Sequence, residues 1–354
     1  MAAKEEGLKE VPCVYVEHLT EAQKKAYILA DNRMALDAGW DEEMLKVELE
    51  ALQEQAYDLS MTGFDENELA ELFRADDVKD DDCDIDEELK KPVYVKKGDV
   101  WNLGKHRLVV GDSTDEATMD ILMDGQKANL VVTDPPYNVD YKGTAGKIQN
   151  DNMENQAFHD FLLSAFRNME RVMASDSSIY VFHADTEGLN FRKAFDEAGF
   201  YLSGCCIWKK PSLVLGRSPY QWQHEPVLYG WKKNGKHKWF TGRKETTIWE
   251  FEKPKKNADH PTMKPVPLLC YPIQNSSMAE TIVLDPFGGS GSTLVACEQT
   301  ERICRTIELD ENYANVIVER YVALQEGNEH NVRLVRGGKE YTYEEAKAMM
   351  EAAE

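Results

Sequence analysis

The 354-residue sequence contains no apolar run approaching the roughly eighteen residues that a membrane span requires. Its opening stretch, Met1 to Glu10, is charged and lacks an apolar core, so no secretory signal is read there. The seven cysteines form no Cys-x-x-Cys pair, and no Cys/His spacing suits zinc. Cys205 and Cys206 are neighbours, a poor geometry for an ordinary disulfide. A phosphate-cradling Gly-Lys-Ser/Thr signature is missing too. Internal repeats are absent, and the one low-complexity tract is acidic. These absences predict a cytosolic chain with reduced thiols, no membrane contact and no metal.

Positive charge is also scarce. The formal net charge is −23, which alone argues against a polyanion as partner. Its distribution reverses that argument. Residues 1–92 hold 10 basic and 27 acidic side chains, whereas residues 205–264 hold 13 basic and 5 acidic ones. Local rather than total charge guides a polyanion to its site. The basic stretch also holds Trp208, Trp222, Trp231, Trp239 and Trp249. Lysines for phosphates and aromatics for bases predict a nucleic-acid face over about 205–260, with Lys232, Lys233, Lys236, Lys238, Arg243 and Lys244 as candidates. The plainer alternative is a basic surface hairpin over a Trp-filled core.

The chain divides into sections. Residues 1–75 carry an extended piece at Val11–Val16, a helical pattern over Thr20–Ala38 with Thr20 as N-cap, and a second amphipathic stretch through Met44, Leu45, Val47, Leu49 and Leu52. A third, short helical piece lies near Asp65–Leu69. Between Asp76 and Glu88 stand nine acids and one lysine, a self-repelling run read as a solvated linker over residues 76–92. Residues 93–337 alternate β-rich and helical segments, as an α/β sheet does. Strands are expected at Arg107–Val110, Leu130–Thr133, Ser178–Phe182, Thr281–Leu284 and Arg302–Glu308, and helices at Gln156–Met173, Glu187–Ala198 and Thr293–Gln299. Residues 338–354 read as an acidic helical tail.

Two motifs follow predicted strands. The first is Asp134-Pro135-Pro136-Tyr137. Two prolines stiffen the turn and supply no N–H donors. The Asp134 carboxylate and the Pro135 carbonyl can then both accept from one NH2 group. An aromatic amine is a poor nucleophile because its lone pair is delocalised, and two acceptors at its hydrogens favour a localised pair. Tyr137 can stack on the ring that bears the amine. Read by itself, the tetrad is equally a stiff strand-to-loop turn. The second motif is Asp285-Pro286-Phe287-Gly288-Gly289-Ser290-Gly291-Ser292-Thr293, which opens a helix. Small residues admit close backbone approach, the helix N-terminus favours a carboxylate, and an acid about 20 residues on, Glu308, suits ribose hydroxyls. By itself this loop means a nucleotide or nucleoside ligand.

Together and in this order, the motifs resemble the β-class amino-methyltransferases, which modify adenine N6 or cytosine N4 in DNA. Protein glutamine methyltransferases place their tetrad after the cofactor loop, so the order argues against them. The resemblance implies a Rossmann-like α/β sheet with helices on both faces, S-adenosylmethionine as methyl donor, and double-stranded DNA as partner. It implies Asp112 of Gly111-Asp112 near the cofactor adenine. It places Thr262 and Lys264, in His260-Pro261-Thr262-Met263-Lys264-Pro265, at the methionine end. Lys209, Lys210, Arg217, Tyr220, His224-Glu225 and Trp249 resemble the family's target-base and recognition run. An Asp in the tetrad leans toward adenine; cytosine N4 is the alternative, and RNA a rival substrate. His183, after a predicted strand, is read as structural, since methyl transfer needs no imidazole.

Residues 11–73, with Leu19-Thr20-Glu21-Ala22-Gln23, Ala30-Asp31-Asn32-Arg33 and Gly39-Trp40-Asp41, are similar to the final strand and helical end of ParB-like domains fused to phage and mobile-element methyltransferases. The usual nucleotide-binding half is absent, so nuclease or CTPase activity is not expected. Docking on the catalytic section or homodimerisation are the roles left to this section. The reading from another class is a ParB-type DNA-binding regulator with an inactive methyltransferase portion.

Overall fold

A computed structural model describes residues 19–33, 42–54, 57–75, 77–81, 83–139, 142–143, 146–147, 151–215, 219–252, 263–325 and 329–351. The extended piece expected at Val11–Val16, together with Arg217, His260 and Thr262, lies outside the described residues. The chain forms two compact units, Met1–Phe73 and Arg74–Glu354.

In the first unit, helices run over Glu21–Arg33, Glu42–Glu54 and Glu66–Leu72. Thr20 caps the first: the Gln23 amide donates to its hydroxyl at 3.2 Å, and the Thr20 amide donates back to the Gln23 side chain at 2.9 Å. This is a reciprocal capping box with glutamine as the N3 residue. Asp65 and Glu68 build a second one. In Glu42–Glu54, Leu45, Leu49 and Leu52 are buried at i, i+4, i+7 spacing, while Val47 is exposed.

The second unit is built on an eleven-stranded mixed sheet. Its strands are β1 (Val100–Leu103), β2 (His106–Val110), β3 (Ala128–Thr133), β6 (Met173–Phe182), β7 (Phe200–Val214), β8 (Trp222–Lys232), β9 (Ile248–Glu250), β10 (Ile282–Asp285), β11 (Ile303–Glu308), β12 (Val332–Arg336) and β13 (Lys339–Thr342); β4 (Lys142–Gly143) and β5 (Gly146–Lys147) form a separate ribbon. The order across the sheet is β13-β12-β1-β2-β11-β10-β3-β6-β8-β7-β9. The central strands β2, β11, β10, β3 and β6 are parallel, and β8 joins β6 antiparallel.

Period-2 geometry explains why these strands read as continuous apolar runs. Leu130 and Val132 of β3 enter one core with Leu108, Val110, Tyr180 and Phe182; Val131 enters the other with Val109, Ile179 and Val181. Helices Val266–Ser276, Ser292–Gln299 and Glu311–Leu324 cover the first face, and Glu116–Met123, Asn155–Val172 and Gly188–Glu197 the second.

Two expectations about the ends of this unit are corrected. The acidic run is not wholly solvated. The Asp81 carboxylate accepts both arms of the buried Arg320 guanidinium, at 2.5 and 2.6 Å. The Asp80 carboxylate accepts the Val266 amide at 2.7 Å, capping a helix that begins after Pro265 without a side-chain cap of its own. Ile85 is fully buried against Met263 and Val316. Paired acids do not repel one another as free ones do, a pairing that composition does not reveal. The tail is not solely helical either. Lys339–Thr342 extends the sheet as β13, and Tyr343 and Ala346 of the following helix join the first core.

Candidate active site

Parallel strands deliver their carboxyl ends to one edge of the sheet. Here that edge collects Gly111 and Asp112 after β2, the tetrad after β3, His183 after β6, Asp285 at the end of β10 and Glu308 at the end of β11. All of them line one cavity of about 560 Å³. Lys210, Trp222, His224 and Glu225 reach it from the antiparallel β7–β8 pair, and Lys264 reaches it from the segment before helix Val266–Ser276.

The two sequence motifs are physically tied. The Thr133 hydroxyl, immediately before the tetrad, donates to the Asp285 carboxylate at 2.8 Å. Thr293 donates to its other oxygen at 2.6 Å, and the Phe287 amide donates at 3.2 Å. Burial pushes the Asp285 carboxyl up to about 7 despite these three donors. Asp285 thus ties the glycine loop to the strand that leads into the tetrad.

The loop needs its glycines. A Cβ on Gly288 would lie 2.5 Å from the Thr306 hydroxyl and 3.0 Å from Ile317, and Gly291 sits at φ +87 as N-cap of helix Ser292–Gln299. The Gly289 and Asp310 amides donate to the two oxygens of Glu308, at 2.7 and 2.8 Å. Burial holds this carboxyl up at about 7. Asp112 accepts from the amide and hydroxyl of Thr114 at 2.8 and 2.7 Å. Phe287 and Ser290 complete this half of the cavity wall. A glycine floor, a helix N-terminus and a carboxylate with spare lone pairs suit a nucleoside that carries a carboxylate tail.

The other half holds a charge cluster. The Lys264 ammonium, 6% exposed, lies 2.5 Å from Asp134 Oδ2 and 2.8 Å from Glu225 Oε1, and donates to the Tyr137 hydroxyl at 3.2 Å. The Tyr137 hydroxyl reaches both Asp134 Oδ1 and, at 2.5 Å, Glu225 Oε1. Lys210 pairs with Glu225 Oε2 at 2.8 Å. Burial raises the Asp134 carboxyl, with Lys264 opposing. Burial alone would raise Glu225 as well, but Lys264 and Lys210 outweigh it and bring that carboxyl down to about 2. The two carboxylates raise Lys264 against its own desolvation. Two ammoniums offset two carboxylates, so the cluster is neutral and can be buried.

Lys264, expected at the methionine end of the cofactor, is in contact with the tetrad through Asp134 and Tyr137. Pro135 is buried and Pro136 half-buried in the cavity wall. His183 is buried beside Phe191 in the cavity wall, and burial lowers its imidazole to about 4.

Of the nucleic-acid candidates, Lys210 and His224 line the cavity, Lys209 pairs with Glu250 at 2.6 Å, and Tyr220 is 89% exposed near the end of the β7–β8 hairpin. Lys232, Lys233, Lys236 and Lys238 are elsewhere. Strand β8 runs antiparallel, away from the cavity, and a rise of about 3.3 Å per residue carries Lys232 roughly 23 Å beyond Glu225. The Lys236 amide bonds the Ser175 carbonyl near the start of β6, and the ammoniums of Lys232, Lys233 and Lys238 lie near Glu170, Asp196 and Asp176. Arg243 and Lys244 are exposed in the turn before β9. Trp208 and Trp249 are core, and of the five tryptophans only Trp222 lines the cavity.

Sequence reading did not assign roles to Thr133 or Thr293, and it took Glu225 only as part of a run. Its one signal in the sequence was that Glu225 is the single acid among residues 205–244 of the basic stretch.

Among the described residues, no helix is long and apolar enough to cross a membrane, and no group of three or more His, Cys, Asp or Glu is placed to hold a metal ion. A sequence profile of the N6/N4 DNA methylase family matches residues 128–319, and one of a ParB-methyltransferase HTH domain matches residues 43–97. The putative methylase YubD of Escherichia coli K12 is 29% identical over 218 residues, which cover 57% of this chain and 85% of YubD. The type II methyltransferase M.HpaI of Haemophilus parainfluenzae is 27% identical over 216 residues, or 54% of this chain and 67% of its own. The solved M1.HpyAVI–SAM complex aligns with a TM-score of 0.47 at 23% identity, over 60% of this chain and 98% of that one.

Proposed function

Because the chain belongs to the N6/N4 DNA methylase family, we propose that it moves a methyl group from S-adenosylmethionine to adenine N6 in duplex DNA. The observation that carries this reading is the meeting, in one cavity, of the tetrad and the glycine loop, tied through Thr133 and Asp285. Asp112, Phe287, Gly288, Gly289, Ser290, Gly291 and Glu308 are the residues that would hold the cofactor, with Glu308 accepting from ribose hydroxyls and the helix N-terminus facing the carboxylate. When bound, the cofactor supplies an electrophilic sulfonium methyl.

The chain's own residues orient and polarise. An amine inside a duplex is stacked and paired, so the base must leave the helix to reach the cavity. Asp134 and the Pro135 carbonyl accept from its two hydrogens, and Tyr137 holds the ring. With the methyl passing from sulfur to the base nitrogen, the Asp134 carboxylate would take the one proton that the nitrogen then sheds. No covalent enzyme intermediate is needed; orientation and electrostatics supply the rate. The preference for adenine over cytosine rests on the Asp of the tetrad, through the family resemblance.

Modification-sensitive sequencing of DNA from cells expressing the chain tests this reading, with Asp134→Ala as the control. N6-methyladenine at a fixed sequence is the expected result. N4-methylcytosine would overturn the choice of base, and absence of any modification, in cells and with purified protein, would overturn the activity.

A further inference from the structure

The cluster on the cavity wall presents a difficulty for the reaction just described. Asp134 must offer its carboxylate to an incoming amine, yet both its oxygens are engaged: Oδ1 by the Tyr137 hydroxyl, Oδ2 by the Lys264 ammonium at 2.5 Å. A carboxylate has lone pairs for further donors. But an ammonium in contact draws off the charge that would polarise the amine and later take its proton.

Glu225 is placed to resolve this. Its Oε1 is 2.8 Å from the same ammonium and 2.5 Å from the same hydroxyl. Tyr137 has one O–H and two acceptors, so it can face either carboxylate without losing a bond. Lys264 already touches both. Glu225 is itself held by Lys210 at 2.8 Å, and its side chain is 8% exposed, so it stays in place while Asp134, 25% exposed, faces the cavity. We infer that Glu225 is a positioning residue for methyl transfer, the resident counter-anion onto which Lys264 and Tyr137 withdraw when a base amine takes Asp134. The inference rests on the methyltransferase reading above.

The hand-off makes a demand that an ordinary structural role does not. Without the Glu225 charge, Lys264 has only Asp134 to pair with and clamps it. The variant Glu225→Gln should therefore lose roughly a hundredfold in kcat, the scale of one lost electrostatic contribution. Its KM for DNA and its Kd for S-adenosylmethionine should stay within about threefold of wild type, which separates positioning from lost binding. Adding Lys264→Met removes the clamp and should recover at least about tenfold of the loss, although two members of the cluster are then gone.

The experiment is transfer of labelled methyl groups from saturating S-adenosylmethionine to unmethylated bacterial duplex DNA at pH 8, with cofactor affinity from calorimetry. Unchanged kcat in Glu225→Gln overturns the inference. So does a double variant no faster than Glu225→Gln, which would make Glu225 a base or a strut instead. If Glu225→Gln does not fold, Glu225→Asp decides: drawing the carboxylate back from Lys264 while keeping its charge should cost about tenfold or more in kcat with KM and Kd held, and an unchanged kcat overturns the hand-off. A wild-type chain that modifies no DNA overturns the functional reading first, and this inference with it.

Discussion

The amide of Gly289 donates to the carboxylate of Glu308 at 2.7 Å, joining the glycine loop to an acid nineteen residues further on. This bond presets the loop and leaves Glu308 lone pairs for a ligand. Burial holds the Glu308 carboxyl up at about 7, so near neutrality it is only partly ionised. Hydroxyl donors favour the ionised form. The affinity for S-adenosylmethionine should therefore fall as pH drops from 8 to 6, by at most about tenfold per pH unit, the limit for one proton. The variant Glu308→Gln should weaken binding about tenfold or more at pH 8 and flatten this dependence. Calorimetry across that range is the check; a steep dependence that survives in Glu308→Gln would assign the titration to another group.

Asp134→Ala separates chemistry from cofactor binding. The carboxylate lies in the charge cluster, not among the residues around Glu308. Methyl transfer should drop below detection while the Kd for S-adenosylmethionine stays within about threefold, since Lys264 keeps Glu225 as partner. Turnover near normal would remove Asp134 from the mechanism.

Gly288 offers a steric test. In Gly288→Ala the new methyl must displace the Thr306 hydroxyl or the end of Ile317. Overpacking of this kind costs about 1–3 kcal/mol. Thermal melting should show that loss together with weaker cofactor binding. Gly242→Ala, where a Cβ meets nothing within 4 Å, should change neither.

The four lysines at and just beyond the far end of β8 test where DNA approaches. If Lys232, Lys233, Lys236 and Lys238 contacted phosphates, changing all four to Gln would lower the salt slope of binding by about 3 to 4. Their place at the amino end of the sheet predicts instead that affinity and slope stay within error. A fall of that size would put DNA on the back of the sheet.

These cases also mark what was legible in the sequence. The parallel strands were, because burial on both faces writes them as unbroken apolar runs, as in Leu130–Thr133. So were the residues at their carboxyl ends, since strand direction alone brings Asp134, Asp285 and Glu308 together. Strand β8 was not. Lys232 and Glu225 are seven residues apart in the sequence, but an extended strand sends them to opposite ends of the sheet. Lys264 was legible as a site residue but not as the partner of Asp134, a pairing across 130 residues that spacing cannot express. The Thr20 cap was partly legible; its partner is Gln23 rather than an acid.

The braces at Asp80 and Asp81 move the seam of the molecule. A cut made where the sheet begins, at Val100, would strand a buried guanidinium at Arg320, which also donates to the Ser290 carbonyl at 2.9 Å within the glycine loop. It would strip the Val266 helix of its borrowed cap as well. A recombination that exchanged the front of this protein for another would keep both braces only if the crossover fell before Asp80, or if the incoming segment carried two aspartates in the same places.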